Sequence, residues 1–204
     1  MRDLLRSLSL SWIVIFFAVF VWSAINPADG LIWFLEVLPA MAAALILFFT
    51  RKSFPLTPLL YLLILIHSVV LMVGGHYTYA EVPAFDWLAE WMGSERNDFD
   101  KLGHFLQGFV PALIAREILL RKEVIKNQAW LNFICVNIAL AISAFYELIE
   151  WWVALLSEQA AEAFLGTQGY VWDTQSDMGF ALFGAICALV FLSKIHGNQL
   201  AAFK

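Results

Sequence analysis

Six long apolar runs, parted by short polar stretches, dominate the chain. They cover about Leu8–Ile25, Leu31–Thr50, Leu59–Gly75, Leu102–Leu120, Ala129–Leu156 and Met178–Lys194. An α-helix needs roughly 17–25 apolar residues to cross about 30 Å of hydrocarbon, and each run is near that length. In lipid the backbone must satisfy its own polar groups, which leaves helices or a closed barrel. Runs this continuously apolar lack the in–out alternation of a barrel strand. The pattern predicts an all-α, polytopic membrane bundle of six transmembrane helices, a single domain over residues 1–204.

The polar stretches carry a second pattern. With six alternating crossings, Arg2, Arg6, Arg51, Lys52, Arg116, Arg121, Lys122, Lys126, Lys194 and Lys204 fall on one face, leaving Arg96 and Lys101 on the other. Of 17 acidic residues, only Asp3, Glu117 and Glu123 accompany the basic face. The positive-inside bias makes that face cytoplasmic, so both termini are expected inside. Arg2, Arg6 and Leu8–Trp22 would suit a signal peptide, but Trp22 occupies the −3 place before Ala24. An uncleaved first helix is therefore expected.

Composition agrees with a membrane location. The chain has 204 residues, 62% hydrophobic and 14% charged, with a mean hydropathy of +0.77. Soluble domains lie near 45–50% apolar and about 25% charged. The expected partners are membrane lipids and a possible lipid-linked substrate. The anionic outer face argues against nucleic acid. Cys135 and Cys187 lie inside apolar runs and read as packing residues.

The connections differ in character. Arg51–Pro58 and Arg121–Gln128 are short and basic, and Asn26–Gly30 is a tight turn by composition. In the connection after the third run, Phe85, Leu88 and Met92 fall at helical spacing beside Trp87 and Trp91. A short interfacial helix is expected there. After the fifth run, Ser157–Leu165 is a helical pattern stopped by Gly166. Trp22, Trp33, Trp87, Trp91, Trp151, Trp152 and Trp172 form a belt at the outer boundary. Lys101–Gly108 and Asp177–Gly184 share Gly, Leu and Gly at equal spacing, which points to related hairpins.

Three polar clusters lie at the outer ends of the last three runs. Asp98, Asp100, Lys101 and His104, with Gln107 one turn deeper, open the fourth; Asp100 and His104 are i,i+4 and share a helix face. Glu147 and Glu150 lie just inside the fifth. Asp173 and Asp177 open the sixth. His76 closes the third run at the same level, and Glu36 lies about two turns into the second. Asp98, Asp100, Asp173 and Ser176 could each act as helix caps, and Thr174–Asp177 has capping-box spacing.

Capping does not account for Glu147 and Glu150. They lie at a helix C-terminus, where the dipole is negative, and inside an apolar run, where an ionised carboxylate must be paired. Two adjacent carboxylates there call for a proton or a cation: Lys101, Arg96, protonated His104 or a metal ion. The candidate site is Asp100, Lys101, His104, Glu147, Glu150, Asp173 and Asp177, with His104, Glu147, Glu150 and Asp177 as metal ligands. The cofactor such a set could hold is a divalent metal ion, Zn²⁺ or Mn²⁺ if His binds, Mg²⁺ or Ca²⁺ if oxygens alone do. His67, in mid-run, reads as a packing histidine. His196, in the tail, carries no claim.

Asp100-Lys-Leu-Gly-His104-Phe, then Glu147-x-x-Glu150, then Asp173-x-x-x-Asp177-x-Gly179, resembles the YjdF-like family of bacterial inner-membrane proteins, over about Leu10 to Leu192. The resemblance implies a multi-pass inner-membrane location more than an activity. The chain is more distantly similar to VanZ-like proteins, which have an Asp-Lys-x-x-His-Phe opening, a Glu-x-x-Gln and an Asp-x-x-x-Asp before a helix. That resemblance implies a role in glycopeptide tolerance and the cell envelope. Glu150 replaces the VanZ-like Gln and makes this site more anionic.

Three functions stay open: metal-dependent chemistry on a lipid-linked or phosphate-bearing envelope substrate, a proton-coupled small-solute permease, and a membrane scaffold contacted through the Trp-rich loops. Depth separates the first two. With no matching polar half expected at the cytoplasmic ends of the last three runs, an outward-facing site is favoured. No phosphate loop, Rossmann signature or nucleophile motif is present.

Overall fold

A computed structural model of the chain describes residues 2–156 and 167–203. Among these, all regular structure is helical. Each of the six apolar runs falls on an α-helix, the first overrunning its helix by Ile25, and a further, shorter helix lies in the connection after the third run. The helical pattern at Ser157–Leu165 lies outside the described residues. Among the described residues, four helical segments, against the six expected spans, are long and apolar enough to cross a membrane: Gly30–Thr50, Pro58–Tyr77, Gln128–Leu156 and Asp173–Phe203.

The sequence predicts one bundle, and the helices group into two compact units, Met1–Phe99 and Asp100–Lys204. In the first, α3 (Pro58–Tyr77) packs against both α1 (Arg2–Ala24) and α2 (Gly30–Thr50). Phe16, Val37, Ala40, Leu65 and Met72 form its core. Trp12 Nε1 donates to the Tyr61 carbonyl at 2.9 Å, tying α1 to α3. Asp29 caps α2, accepting from the Leu31 and Ile32 N–H groups at 2.8 and 2.9 Å; this satisfies two otherwise free donors of the first turn. His76 Nδ1 meets the Ser23 carbonyl at 3.0 Å and so fastens the end of α3 beside α1. Glu36 is buried on α2 beside Gly75, and His67 is half-buried on α3.

The expected interfacial helix is α4 (Pro83–Met92). Phe85 and Leu88 are partly covered, Phe85 against the Phe99 ring at 5.1 Å. Met92 departs from its expected face: it is 67% exposed, together with Trp87 and Trp91. Gly93 takes the left-handed conformation (φ 69°) and ends the helix there, an arrangement that glycine adopts at little cost.

In the second unit, α5 (Phe99–Arg121), α6 (Gln128–Leu156) and α7 (Asp173–Leu200) meet through small side chains. Ala112, Ala139 and Ala185, one from each helix, form a buried cluster. A β-carbon at Gly108 would run into the backbone of Ala181, and one at Gly184 into the backbone of Phe105. The α5 and α7 backbones therefore touch at two glycines. Packing this close is how helices associate where lipid supplies no hydrophobic drive. It also fixes the register of the polar residues one to two turns away.

Candidate functional site

The ends of α5, α6 and α7 bring the predicted residues together. Lys101, His104, Glu147, Glu150, Asp173 and Asp177 are each buried, and Asp100 is partly so. Lys101 Nζ donates to Asp173 Oδ1 at 2.8 Å and to Asp177 Oδ1 at 2.6 Å. His104 Nε2 lies 3.3 Å from Asp100 Oδ1 and 3.7 Å from Glu147 Oε1. His104 Nδ1 lies 3.2 Å from Gln107 Oε1. The ligand atoms of His104, Glu147 and Glu150 all fall within 4.8 Å of one another, as do those of Asp100, His104 and Asp177.

Two corrections follow for the capping reading. The N-cap position of α7 is Trp172, with no side-chain cap bond. Asp173 and Asp177 lie inside the helix and turn to Lys101 instead, because a buried ammonium is a stronger partner than a backbone amide. The short bonds of Lys101 therefore go to these aspartates and not to the Glu pair that the sequence offers as its partner. Asp98 stands outside the cluster, paired with Arg96 at 3.1 Å and 53% exposed.

The cluster is strongly anionic. Five carboxylates (Asp100, Glu147, Glu150, Asp173 and Asp177) face one lysine and one histidine. The Gln107 amide oxygen accepts from His104 Nδ1–H. Nε2 points between Asp100 and Glu147, where it donates to Asp100 when it carries a proton and offers a lone pair when it does not. Glu147 Oε1 is itself buried without a hydrogen-bond partner, and 3.7 Å is too long for a hydrogen bond from His104. Electron-rich atoms thus converge on one space, an arrangement that a proton or metal cation relieves. A histidine oriented through its second nitrogen is also the common form of a metal ligand.

A second buried network, which the sequence reading did not anticipate, lies near the opposite ends of α5 and α7. Arg116 Nη1 lies 3.1 Å from His196 Nδ1, His196 Nε2 lies 2.9 Å from Glu117 Oε2, and Arg121 Nη1 donates to Glu117 Oε1 at 2.9 Å. Glu117 and His196 are fully buried. A guanidinium only donates, so His196 Nδ1 accepts and Nε2–H donates to Glu117. This overturns two expectations. His196 belongs to α7 rather than to a tail, and a polar half does exist at the other ends of these helices. The adjacent Arg116 and Glu117 inside an apolar run were the available signal; their partner, 80 residues from Arg116, was not.

Comparison with known proteins agrees with the membrane reading. The chain is 51% identical over 185 residues to "Inner membrane protein YjdF" of Escherichia coli (strain K12), covering 91% of this chain and 88% of that protein. No solved structure matches. The expected distant likeness to VanZ-like proteins is not shown by these comparisons. Residues 8–198 match the family described as "Predicted membrane protein (DUF2238)". With a match of that length and a relative this similar, the chain belongs to this family, and it is a multi-pass protein of the inner membrane.

Proposed function

We propose that the α5–α6–α7 cluster binds a divalent cation at the periplasmic leaflet and serves chemistry on a lipid-linked or phosphate-bearing envelope substrate. The accompanying topology is six crossings with both termini in the cytoplasm, supported by the one-sided distribution of Lys and Arg. The observation that carries the site is the approach of His104 Nε2 to the buried, unpartnered Glu147 Oε1 at 3.7 Å.

His104, Glu147 and Glu150 would hold the ion, a mixed nitrogen and oxygen set suited to Mn²⁺ or Zn²⁺. When bound, the ion supplies Lewis acidity and a more acidic water. Gln107 orients the histidine. Asp173 and Asp177 fix the Lys101 ammonium beside the start of α7. That helix begins without a side-chain cap; the Asp173 N–H donates to the Tyr170 carbonyl, which leaves the N–H groups of Thr174 and Gln175 to meet an anionic headgroup.

Thermal melts of purified protein test the ion. Chelator should lower the melting temperature and Mn²⁺ restore it by mass action, with the response lost in Glu150→Gln. Release of phosphate from a lipid diphosphate in nanodiscs, abolished by His104→Ala, tests the chemistry. No chelator effect and no phosphate release would sink the proposal.

The buried Arg116–His196–Glu117 network favours a second reading, a proton-coupled permease, because ionisable groups then sit toward both ends of α5 and α7. Proton flux into liposomes that is lost in Glu117→Gln, without phosphate release, would select it.

A further inference from the structure

His104 belongs to two groups of candidate ligands at once, Asp100–His104–Asp177 and His104–Glu147–Glu150. With Nδ1 held by Gln107 at 3.2 Å, only Nε2 remains for both. One ring nitrogen has one lone pair, so one ion at a time can use it. The two groups also differ in what already neutralises them. Asp177 Oδ1 holds the Lys101 ammonium at 2.6 Å, whereas Glu147 Oε1 is buried with no hydrogen-bond partner. The first group is the more open: the Asp100 side chain is 15% exposed, against 6% for Glu147.

We propose, on the cation-site reading above, that the cluster is a two-station site for one divalent cation, with Lys101 as a built-in competitor for the outer station. An ion at Asp100 and Asp177 must displace the ammonium from Asp177, because like charges on one carboxylate oxygen repel. Lys101 has somewhere to go. Asp173 keeps it at 2.8 Å, and the Tyr170 ring lies 5.7 Å from Nζ, within cation–π range. Displacement therefore costs no unpaired buried charge. While Lys101 stays on Asp177, the ion is driven to Glu147 and Glu150.

Titration of the purified full chain with Mn²⁺ alone, followed by the loss of the free-ion paramagnetic resonance signal, tests this. Wild type should take one Mn²⁺ per chain. Lys101→Met should still take one, but about tenfold more tightly, because a competing charge is gone. Asp177→Asn in that background should remove the gain. If Lys101→Met does not fold, two variants that keep the lysine test the same asymmetry. Glu147→Gln should weaken binding by about 10–100-fold, and clearly more than Asp177→Asn does. Two ions per chain, an unchanged or weaker affinity in folded Lys101→Met, or equal losses in the two single variants would overturn the two-station inference and leave a plain cation site. No Mn²⁺ bound by wild type would overturn both.

Discussion

Lys101 and Asp177 hold the same place in the two echoed segments, 76 residues apart, and they bind each other at 2.6 Å. The neighbouring contacts obey the same exchange. Gly108 on α5 lies against Ala181 on α7, and Gly184 on α7 lies against Phe105 on α5; each pair is the other shifted by the same interval. This is the contact pattern of two segments related by a local two-fold axis, with the ion pair on the axis. The echo in the sequence thus corresponds to a physical interface, and the interface carries the polar cluster at one end.

The Lys101–Asp177 pair should be strongly coupled. Removing one member of a buried pair leaves an uncompensated charge and costs about 3–5 kcal/mol. Without added metal, Lys101→Met and Asp177→Asn should each lower the melting temperature. The double variant should recover part of the loss, with an interaction energy of roughly 0.5–3 kcal/mol. Additive losses would mean that the two side chains act independently.

The glycine crossing makes a sharper demand. Gly108→Ala and Gly184→Ala each push a methyl into backbone, which cannot move aside like a flexible side chain. A loss of at least about 1–3 kcal/mol is expected, the usual cost of overpacking. Gly179 has nothing within 4 Å of the place a β-carbon would take, so Gly179→Ala should be neutral or gain up to about 1 kcal/mol of helix propensity. Melting the three variants side by side checks this; equal behaviour would contradict the close α5–α7 approach.

At the other end, Glu117 accepts from both His196 and Arg121, and Arg116 lies against the other nitrogen of His196. Glu117→Gln leaves two buried or half-buried guanidinium groups without that charge. The expected result is a loss of several kcal/mol in stability and weaker protection of α7 backbone amides near His196 in hydrogen exchange. Glu123→Gln, on an exposed residue, is the control and should change neither.

Topology is open to direct labelling. Gly93, Asn127 and Gly169 are all exposed in the connections. In a cysteine-free background, Gly93→Cys and Gly169→Cys should react with a membrane-impermeant thiol reagent added outside, and Asn127→Cys only after the membrane is opened. Reaction of Asn127→Cys in intact cells would exclude both termini lying inside.

The sequence by itself determined the helices and the membrane. Long, continuously apolar runs leave the backbone no alternative to helix in lipid, because each element must satisfy its own hydrogen bonds. The bias of Lys and Arg supports the proposed topology without any knowledge of packing. Glu147 and Glu150 were also legible as anomalies, because helix polarity and lipid both disfavour acids at that place. Their surroundings were not legible. Whether Lys101 turns to Glu150 or to Asp173 and Asp177 depends on how α5 and α7 are rotated, and that is set by the contacts at Gly108 and Gly184. His196 shows the same limit. Its apolar neighbours say only that it lies in or near a helix; its meeting with Arg116 and Glu117 requires α5 and α7 to be adjacent and in register. Periodicity fixes which residues share a face of one helix, but only the packing of three helices decides which faces meet.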